Sequence, residues 1–119
     1  MPDFGEPLDI NIRKLSNVRI IQLRGGLKLG PELDKFKVAV DGLLQNGDSN
    51  IVLNLAEVPI IDSSGIGVLV RCLTSLKQRG GSLKLVGPSK MVLQTLKLVG
   101  ILNLFEIHES DDAAVQSFG

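Results

Sequence analysis

The sequence predicts an α/β fold: a single domain with a mixed β-sheet, in which an N-terminal β-hairpin is followed by βα units. Short apolar runs rich in β-branched residues alternate with segments whose apolar residues recur at helical spacing. Strands that alternate with helices form mainly parallel sheets, whereas a hairpin adds an antiparallel pair. The 119 residues are about one domain's length, and we assign residues 8–119 to the domain and residues 1–7 to a flexible tail.

Two strands joined by a tight turn open the predicted domain. Leu8, Ile10 and Ile12 alternate with polar residues, which predicts a strand with one buried face. Residues 18–23 form a second β-rich run, and Ser16-Asn17 between the two runs has the character of a turn. We therefore expect a hairpin, which ends where two consecutive glycines follow.

An amphipathic helix and a buried strand come next. Pro31 is favourable in the first turn of a helix, and Asn46-Gly47 supplies a C-terminal stop. Between them, apolar residues recur at the spacing of one helix face: Leu33, Phe36, Val40, Leu43 and Leu44. Residues 51–55 are short, mostly apolar and β-branched at their start, as expected for a central strand covered on both faces.

The rest of the chain repeats the order of strand and helix. A second helix, which ends at Gly80-Gly81, carries a core stripe of apolar residues: Ile66, Leu69, Val70, Leu73 and Leu76. A strand over residues 83–86 leads to a third helix that Ser89 caps and Gly100 terminates. A last strand over residues 104–107 and a short terminal helix capped by Ser110 complete the prediction.

Composition narrows the classes of function. Thirteen basic residues balance thirteen acidic ones, and the chain lacks Trp and Tyr, so a nucleic-acid partner is not expected. A single cysteine, Cys72, and a single histidine provide neither an intrachain disulfide nor a Cys/His zinc site. Neither a signal-peptide pattern nor an apolar run of about 18 residues is present. We expect a cytoplasmic protein with no cofactor, no metal and no insertion into a membrane.

The most distinctive segment is Asp62-Ser63-Ser64-Gly65-Ile66-Gly67, which joins the predicted central strand to the second helix. Asp or Ser before a helix is ordinary capping chemistry, so the segment also has a purely structural interpretation. At 100° per residue, Ser64 turns away from the core stripe, whereas Ser63 points nearer the core and is the better candidate for the helix cap. The outward line of Ser64 carries three further residues: Val68, Arg71 and Ser75. This predicts a partner-binding face with Val68 as its apolar point, although a single exposed Val is equally common on any soluble protein.

The strand from residue 51 followed by residues 62–67 resembles the phosphorylation-site signature of anti-sigma factor antagonists. The order of predicted elements resembles the STAS domain along almost the whole chain. The resemblance implies a non-enzymatic domain that binds an anti-sigma factor, itself a serine kinase, and thereby frees a sigma factor for transcription. It implies that Ser64 is the phosphoacceptor, that phosphorylation switches the domain off, and that a phosphatase is a further partner. The sequence leaves the oligomeric state open.

The residues predicted to contact the partner surround this serine. They are Asp62, Ser63, Gly65, Ile66, Val68, Arg71 and Lys28. Lys28 departs from the family, whose earlier motif has Gly, an acidic residue, Leu and Asp where this chain has Gly25-Gly26-Leu27-Lys28. We expect Lys28 on a loop at the sheet end that carries the serines. The departure leaves a second hypothesis open: a constitutive, unphosphorylated interaction module of a stress-signalling scaffold or a lipid-transport complex.

Other chemistry finds little support in the sequence. Gly65-Ile66-Gly67 lacks the third glycine of a dinucleotide fingerprint, and no phosphate-binding loop is present. A hydrolase triad of a serine, Asp62 and His108 lacks the G-x-S-x-G elbow. His108 is expected to be a solvated residue of an edge strand, and Cys72 a small helix residue.

Overall fold

The computed structural model describes residues 7–119, which form a five-stranded sheet with four α-helices and one short 3-10 helix. The strands are β1 (Asp9–Leu15), β2 (Val18–Arg24), β3 (Asn50–Glu57), β4 (Ser82–Val86) and β5 (Glu106–His108). The helices are α1 (Pro31–Gln45), α2 (Ser63–Gln78), α3 (Lys90–Leu98) and α4 (Asp111–Ser117), and the 3-10 helix spans Leu102–Leu104. The predicted tail over residues 1–7 lies, except for Pro7, outside the described residues.

The sheet is mixed, as predicted. Its spatial order is β1-β2-β3-β4-β5, with β1 antiparallel to β2 and the other neighbours parallel. The hairpin between β1 and β2 turns through Ser16, whose positive φ of 57° is tolerated in a tight turn. β3 lies at the centre, which confirms the prediction for residues 51–55.

Helices cover both faces of the sheet. Ile51, Leu53 and Leu55 of β3 point toward the main core, which α1, α2 and α3 close. The alternate residue Val52 points to a smaller cluster under α4, together with Ile20 of β2. The alternation of the strand thus divides its apolar residues between two layers.

Polar contacts hold α4 on its face of the sheet. Lys84 of β4 is only 6% exposed; its Nζ donates to Ser117 Oγ at 2.7 Å and lies 4.1 Å from the ring centroid of Phe118. At the other end of α4, Asp111 accepts hydrogen bonds from Arg13 Nη2 at 2.8 Å and Asn54 Nδ2 at 2.9 Å. A helix with one fully buried residue, Ala114, is therefore fixed at both ends.

Capping residues set most helix ends where the sequence predicts them. The Ser89 hydroxyl accepts from Val92 N at 3.2 Å at the start of α3, and Ser110 accepts from Ala113 N at 3.1 Å at the start of α4. Gly100, at φ 78°, follows the end of α3. Within residues 7–119, no helix is long and apolar enough to cross a membrane.

Two strand predictions need correction. The apolar face of β1 is buried only at its start: Leu8 is buried, Ile10 is half-buried and Ile12 is 38% exposed, because the outer end of an edge strand has less of the core to pack on. The last strand begins two residues later than residues 104–107 suggested. A 3-10 helix occupies its predicted start, and Phe105 is buried before β5 begins.

Candidate functional site

The candidate site lies at the carboxyl ends of β2 and β3, where two loops are joined by backbone hydrogen bonds. Leu27 N donates to Ile60 O at 3.0 Å, and Asp62 N donates to Leu27 O at 3.1 Å. These bonds place Lys28 beside the turn that leads into α2, as the sequence predicts. Parallel strands end at the same edge of a sheet, so the topology itself brings the two loops together.

Asp62 connects the two loops and caps α2. Its Oδ1 accepts from Gly65 N at 2.9 Å, and its Oδ2 accepts from Leu29 N at 2.9 Å in the neighbouring loop. Partial burial acts to raise the pKa of this carboxyl, but hydrogen bonds from the backbone N–H groups of Leu29, Gly65 and Ser64 outweigh burial and lower the pKa. Asp62 is thus a carboxylate at neutral pH. The prediction that Ser63 caps the helix is wrong, since the Asp62 side chain occupies that role.

Gly65 is required by the close approach of the two loops. A Cβ atom at this position would lie 2.4 Å from the Leu27 carbonyl oxygen and 2.9 Å from Cγ1 of Ile61. No larger residue fits without moving the backbone of the loop that carries Lys28. The small residue in the motif therefore lets the start of α2 press against that loop.

The two serines occupy the first turn of α2. Ser63 is exposed and Ser64 is half-buried, which is the reverse of the order that the helical wheel predicts. The wheel assumes regular helix packing, but the Leu27 loop also packs against this turn and covers part of it. Within residues 7–119, neither hydroxyl makes a hydrogen bond, so both are free to react or to contact a partner.

Val68 does not lie on the surface, contrary to the sequence prediction. It is 7% exposed and lines a small cavity with Val40 and Leu44 of α1. α1 packs against the flank of α2, which widens the buried side of that helix beyond the stripe predicted from periodicity. Arg71, farther along α2, is exposed as expected, whereas Ile66 is half-buried against the core.

Two exposed apolar side chains at the site are not apparent from the sequence. Leu29 is 78% exposed and Ile60 is 39% exposed, and they stand in the two loops that Asp62 joins. The only sequence signal for either residue is that Leu29 stands between Lys28 and Gly30, in a predicted loop and not in a helix or strand. With Lys28, whose side chain runs beside Ile60 over Gly26, they form a surface that is apolar and positively charged.

The remaining candidates are not part of this site. Burial raises the pKa of the Cys72 thiol to about 12, with a further contribution from Asp41, so the buried thiol stays protonated and unreactive. His108 lies on the edge strand β5, as predicted, but it is half-buried and its Nε2 is 2.7 Å from Glu106 Oε1. Its partner is thus a carboxylate on its own strand and not a serine of the motif.

Comparison with known proteins identifies the fold and the family. The family model described as the STAS domain matches residues 9–114. An anti-sigma-B factor antagonist of Staphylococcus epidermidis is 26% identical over 109 residues, which cover 88% of this chain and 98% of the relative. A crystal structure from Thermotoga maritima, assigned to the anti-sigma factor antagonists, superposes with a TM-score of 0.85 at 28% identity and covers 92% of this chain and 93% of that chain.

SpoIIAA, an anti-sigma factor antagonist, has the same fold. In its unphosphorylated form it superposes with a TM-score of 0.78 at 18% identity, covering 92% of this chain and 95% of that chain. The phosphorylated form from Bacillus superposes with a TM-score of 0.73 at 17% identity, covering 92% and 98%. The topology, the motif at the start of α2 and the match over residues 9–114 lead to one conclusion: the chain belongs to the STAS domain family.

Proposed function

We propose that this domain is an anti-sigma factor antagonist, a binding protein rather than an enzyme. In its unphosphorylated state it binds an anti-sigma factor that is also a serine kinase, and so releases a sigma factor for transcription. The single observation that carries the proposal is the junction of the motif with the Leu27–Leu29 loop, because Asp62 holds the turn that carries both serines beside an exposed apolar and basic surface. The relatives named anti-sigma-B factor antagonist, one of which aligns over 98% of its own length, support the same function.

The proposed partner surface follows from exposure. It comprises Lys28, Leu29 and Ile60 on the loops, Asp62, Ser63, Ser64 and Ile66 at the turn, and Arg71 farther along α2. Gly65, which the sequence also predicts as a contact, is omitted because it is buried under the Leu27 loop. Val68 is omitted because its side chain is buried against α1. Apolar side chains at the centre of such a patch bury area, whereas Lys28 and Arg71 favour a partner with carboxylates opposite them.

Ser64 is the proposed phosphoacceptor, and its alignment with the family motif supports it over Ser63. A phosphate adds about −1.5 to −2 charges at neutral pH and meets the positive end of the α2 dipole. The carboxylate of Asp62, two residues earlier, repels it. These two effects oppose one another, so we expect the folded domain to tolerate the phosphate. At an interface, however, the same charge must lose its water, and binding is lost.

The test is capture of partners from a lysate of the organism that encodes the chain. Three forms of the domain serve as parallel baits: the unmodified domain, the Ser64→Asp variant and the Ser110→Ala variant, which loses the cap of α4 on the other face of the sheet. We expect the unmodified and Ser110→Ala baits to retain a protein with a serine-kinase domain, the Ser64→Asp bait to lose it, and phosphate to map to Ser64. Phosphate on Ser63 alone, or no kinase-domain protein on any bait, would contradict the proposal.

Lys28 favours a second candidate function, since the family motif has Asp at this position. In that case the same surface binds a partner constitutively, as in a stress-signalling scaffold or a lipid-transport complex, and Ser64 is not modified. The two candidates differ in one outcome: the constitutive module binds equally well whether or not the cells contain an active kinase.

The charge of Lys28 gives a testable prediction for either candidate. Lys28→Asp should change partner affinity or the rate of phosphorylation, because it reverses the charge beside the turn, while changing the free energy of unfolding by about 0.5 kcal/mol or less. Lys14→Asp, an equal charge change at the opposite end of the sheet, is the control. Binding titrations and urea unfolding of both variants measure the two effects. Equal affinity and equal phosphorylation in Lys28→Asp and the parent would remove Lys28 from the site.

A further inference from the structure

The outer edge of β1 is an open strand edge. β1 spans seven residues, Asp9–Leu15, and within residues 7–119 it pairs only with β2. The opposite edge of the sheet, β5, is three residues long. Short edge strands protect a sheet from pairing with other chains, whereas a long one offers a row of free N–H and C=O groups.

The two faces of β1 have different chemistry. Arg13 faces the α4 side, where its Nη2 contacts Asp111, and Asp9 and Asn11 share that face by the alternation of the strand. Ile10 packs on the main core, and Ile12 lies on the same side but is 38% exposed. Asp9 makes no ion pair within residues 7–119.

A second copy of the strand fits this edge in one register better than in the others. Two copies related by a twofold axis perpendicular to the sheet pair residues of the same face. Of the seven strand residues, five or more can pair only when the axis passes through Asn11, Ile12 or Arg13. An axis at Arg13 opposes two like charges, and an axis at Ile12 sets Asp9 against Leu15 and Ile10 against Lys14.

An axis at Asn11 gives favourable side-chain pairs on both faces of the strand. It sets Asp9 opposite Arg13 of the second copy on one face, and Ile10 opposite Ile12 of the second copy on the other. Opposite charges and apolar pairs directly across two strands stabilise an antiparallel ladder. The contact with Asp111 uses Nη2 of Arg13, and the guanidinium has further N–H groups for a second carboxylate.

We propose that two copies of this chain associate through β1, antiparallel and centred on Asn11, to form one continuous sheet. The exposed part of Ile12 is then covered by Ile10 of the second copy, and the carboxylate of Asp9, which makes no ion pair within residues 7–119, gains a partner. Because the strands run antiparallel, the two Ser64 sites lie at opposite ends of the pair. Each remains accessible, so the association is compatible with binding one kinase partner per copy.

Cysteine cross-linking tests the register. Asn11→Cys places two thiols directly across the axis, roughly 5 Å apart at Cβ. Lys14→Cys lies on the same strand and is also exposed, but its two copies are six residues out of register, ~20 Å apart. Cys72 is buried, and the unmodified protein provides the background rate. We expect Asn11→Cys to form a disulfide-linked dimer at least about tenfold faster than Lys14→Cys, because pairing raises the local thiol concentration to the millimolar range.

Charge reversal in the Asn11→Cys background tests the pairing itself. Adding Asp9→Arg should slow dimer formation severalfold, because like charges then face one another across the two strands at positions 9 and 13. Adding Asp9→Asn should slow it less, because it removes the attraction without introducing a repulsion. Circular dichroism verifies that each variant is folded. Cross-linking of Asn11→Cys no faster than that of Lys14→Cys, or a rate unchanged by Asp9→Arg, would overturn the proposal.

Discussion

Asp62 performs two tasks with one carboxylate at the junction of the site. One oxygen caps α2 through Gly65 N, and the other holds Leu29 N of the adjacent loop. An alanine cannot replace either bond, whereas an asparagine has one acceptor oxygen and can replace one of them. Comparing alanine and asparagine at this position therefore distinguishes the loss of both hydrogen bonds from the loss of one.

Substitution of Asp62 should reveal both tasks. Loss of a cap costs about 1 kcal/mol, and loss of the second bond about 1 kcal/mol more, so we expect Asp62→Ala to lower the free energy of unfolding by about 2 kcal/mol and Asp62→Asn by about half as much. Ser110→Ala, which removes the cap of α4, is the matched control at about 1 kcal/mol. Urea unfolding measures all three. An Asp62→Ala cost no larger than that of Ser110→Ala would mean that the bond to Leu29 adds nothing.

The lowered pKa of Asp62 predicts how its contribution depends on pH. A carboxyl whose pKa is lower in the folded state stabilises the fold at pH above its unfolded pKa, about 4, and loses that contribution as pH falls through the folded pKa. The stability difference between the parent and Asp62→Asn should thus be constant above about pH 5 and shrink below about pH 4. Glu32 and Glu106 also have lowered pKa values and add their own pH dependence to the stability of both proteins. The quantity to compare is therefore the difference between the parent and Asp62→Asn at each pH. A difference that does not vary with pH would show that the ionised form is not favoured by folding.

At the scale of the element, α2 carries two glycines with opposite requirements. A Cβ atom on Gly65 would meet the Leu27 carbonyl oxygen, but one on Gly67 would meet nothing within 4 Å. Alanine is the better helix former by about 1 kcal/mol in open space. Glycine-to-alanine substitution should therefore change the free energy of unfolding in opposite directions at these two positions of one helix.

We expect Gly67→Ala to raise the free energy of unfolding by about 0.5–1 kcal/mol and Gly65→Ala to lower it by about 1–3 kcal/mol, as overpacking usually does. Because Gly65→Ala pushes the Lys28 loop away from α2, it should also weaken partner binding, which Gly67→Ala should leave intact. Thermal unfolding and a binding titration of each variant give the two readouts. Two variants of equal stability would mean that the Leu27 loop yields easily and that the glycine is not required.

At the scale of the whole molecule, patterns local in sequence predicted most of the fold. Periodicity in α1, the two glycines after β2 and the serine caps of α3 and α4 act within a few residues, so their structural consequences can be inferred from the chain alone. The burial of Val68 could not be inferred in this way, because it depends on how closely α1 packs beside α2. The exposure of Ile12 likewise depends on the position of β1 at the edge of the sheet.

In the candidate site, too, the sequence predicts the local features but not those that depend on contacts between distant segments. The motif located the turn and both serines, and the place of Lys28 followed from strand order. The cap by Asp62, the relative exposure of Ser63 and Ser64, and the exposed Leu29 and Ile60 all arise from contact between two loops that are 33 residues apart at the Leu29–Asp62 bond. Such contacts have no periodic pattern in the sequence.

The proposed phosphorylation switch acts on partner binding and leaves the fold intact. It is tested most directly by titrating one purified anti-sigma kinase partner with the unmodified domain and with domain phosphorylated at Ser64, and by recording melting curves of both forms. Burial of an uncompensated phosphate at an interface costs several kcal/mol, and 2–3 kcal/mol already corresponds to roughly 30- to 150-fold in affinity. We predict that phosphorylation at Ser64 weakens binding by at least roughly 30-fold. The melting temperatures of the two forms should agree within a few degrees, and Ser64→Ala should bind normally. Equal affinity of the two forms, or a large fall in melting temperature on phosphorylation, would contradict the account.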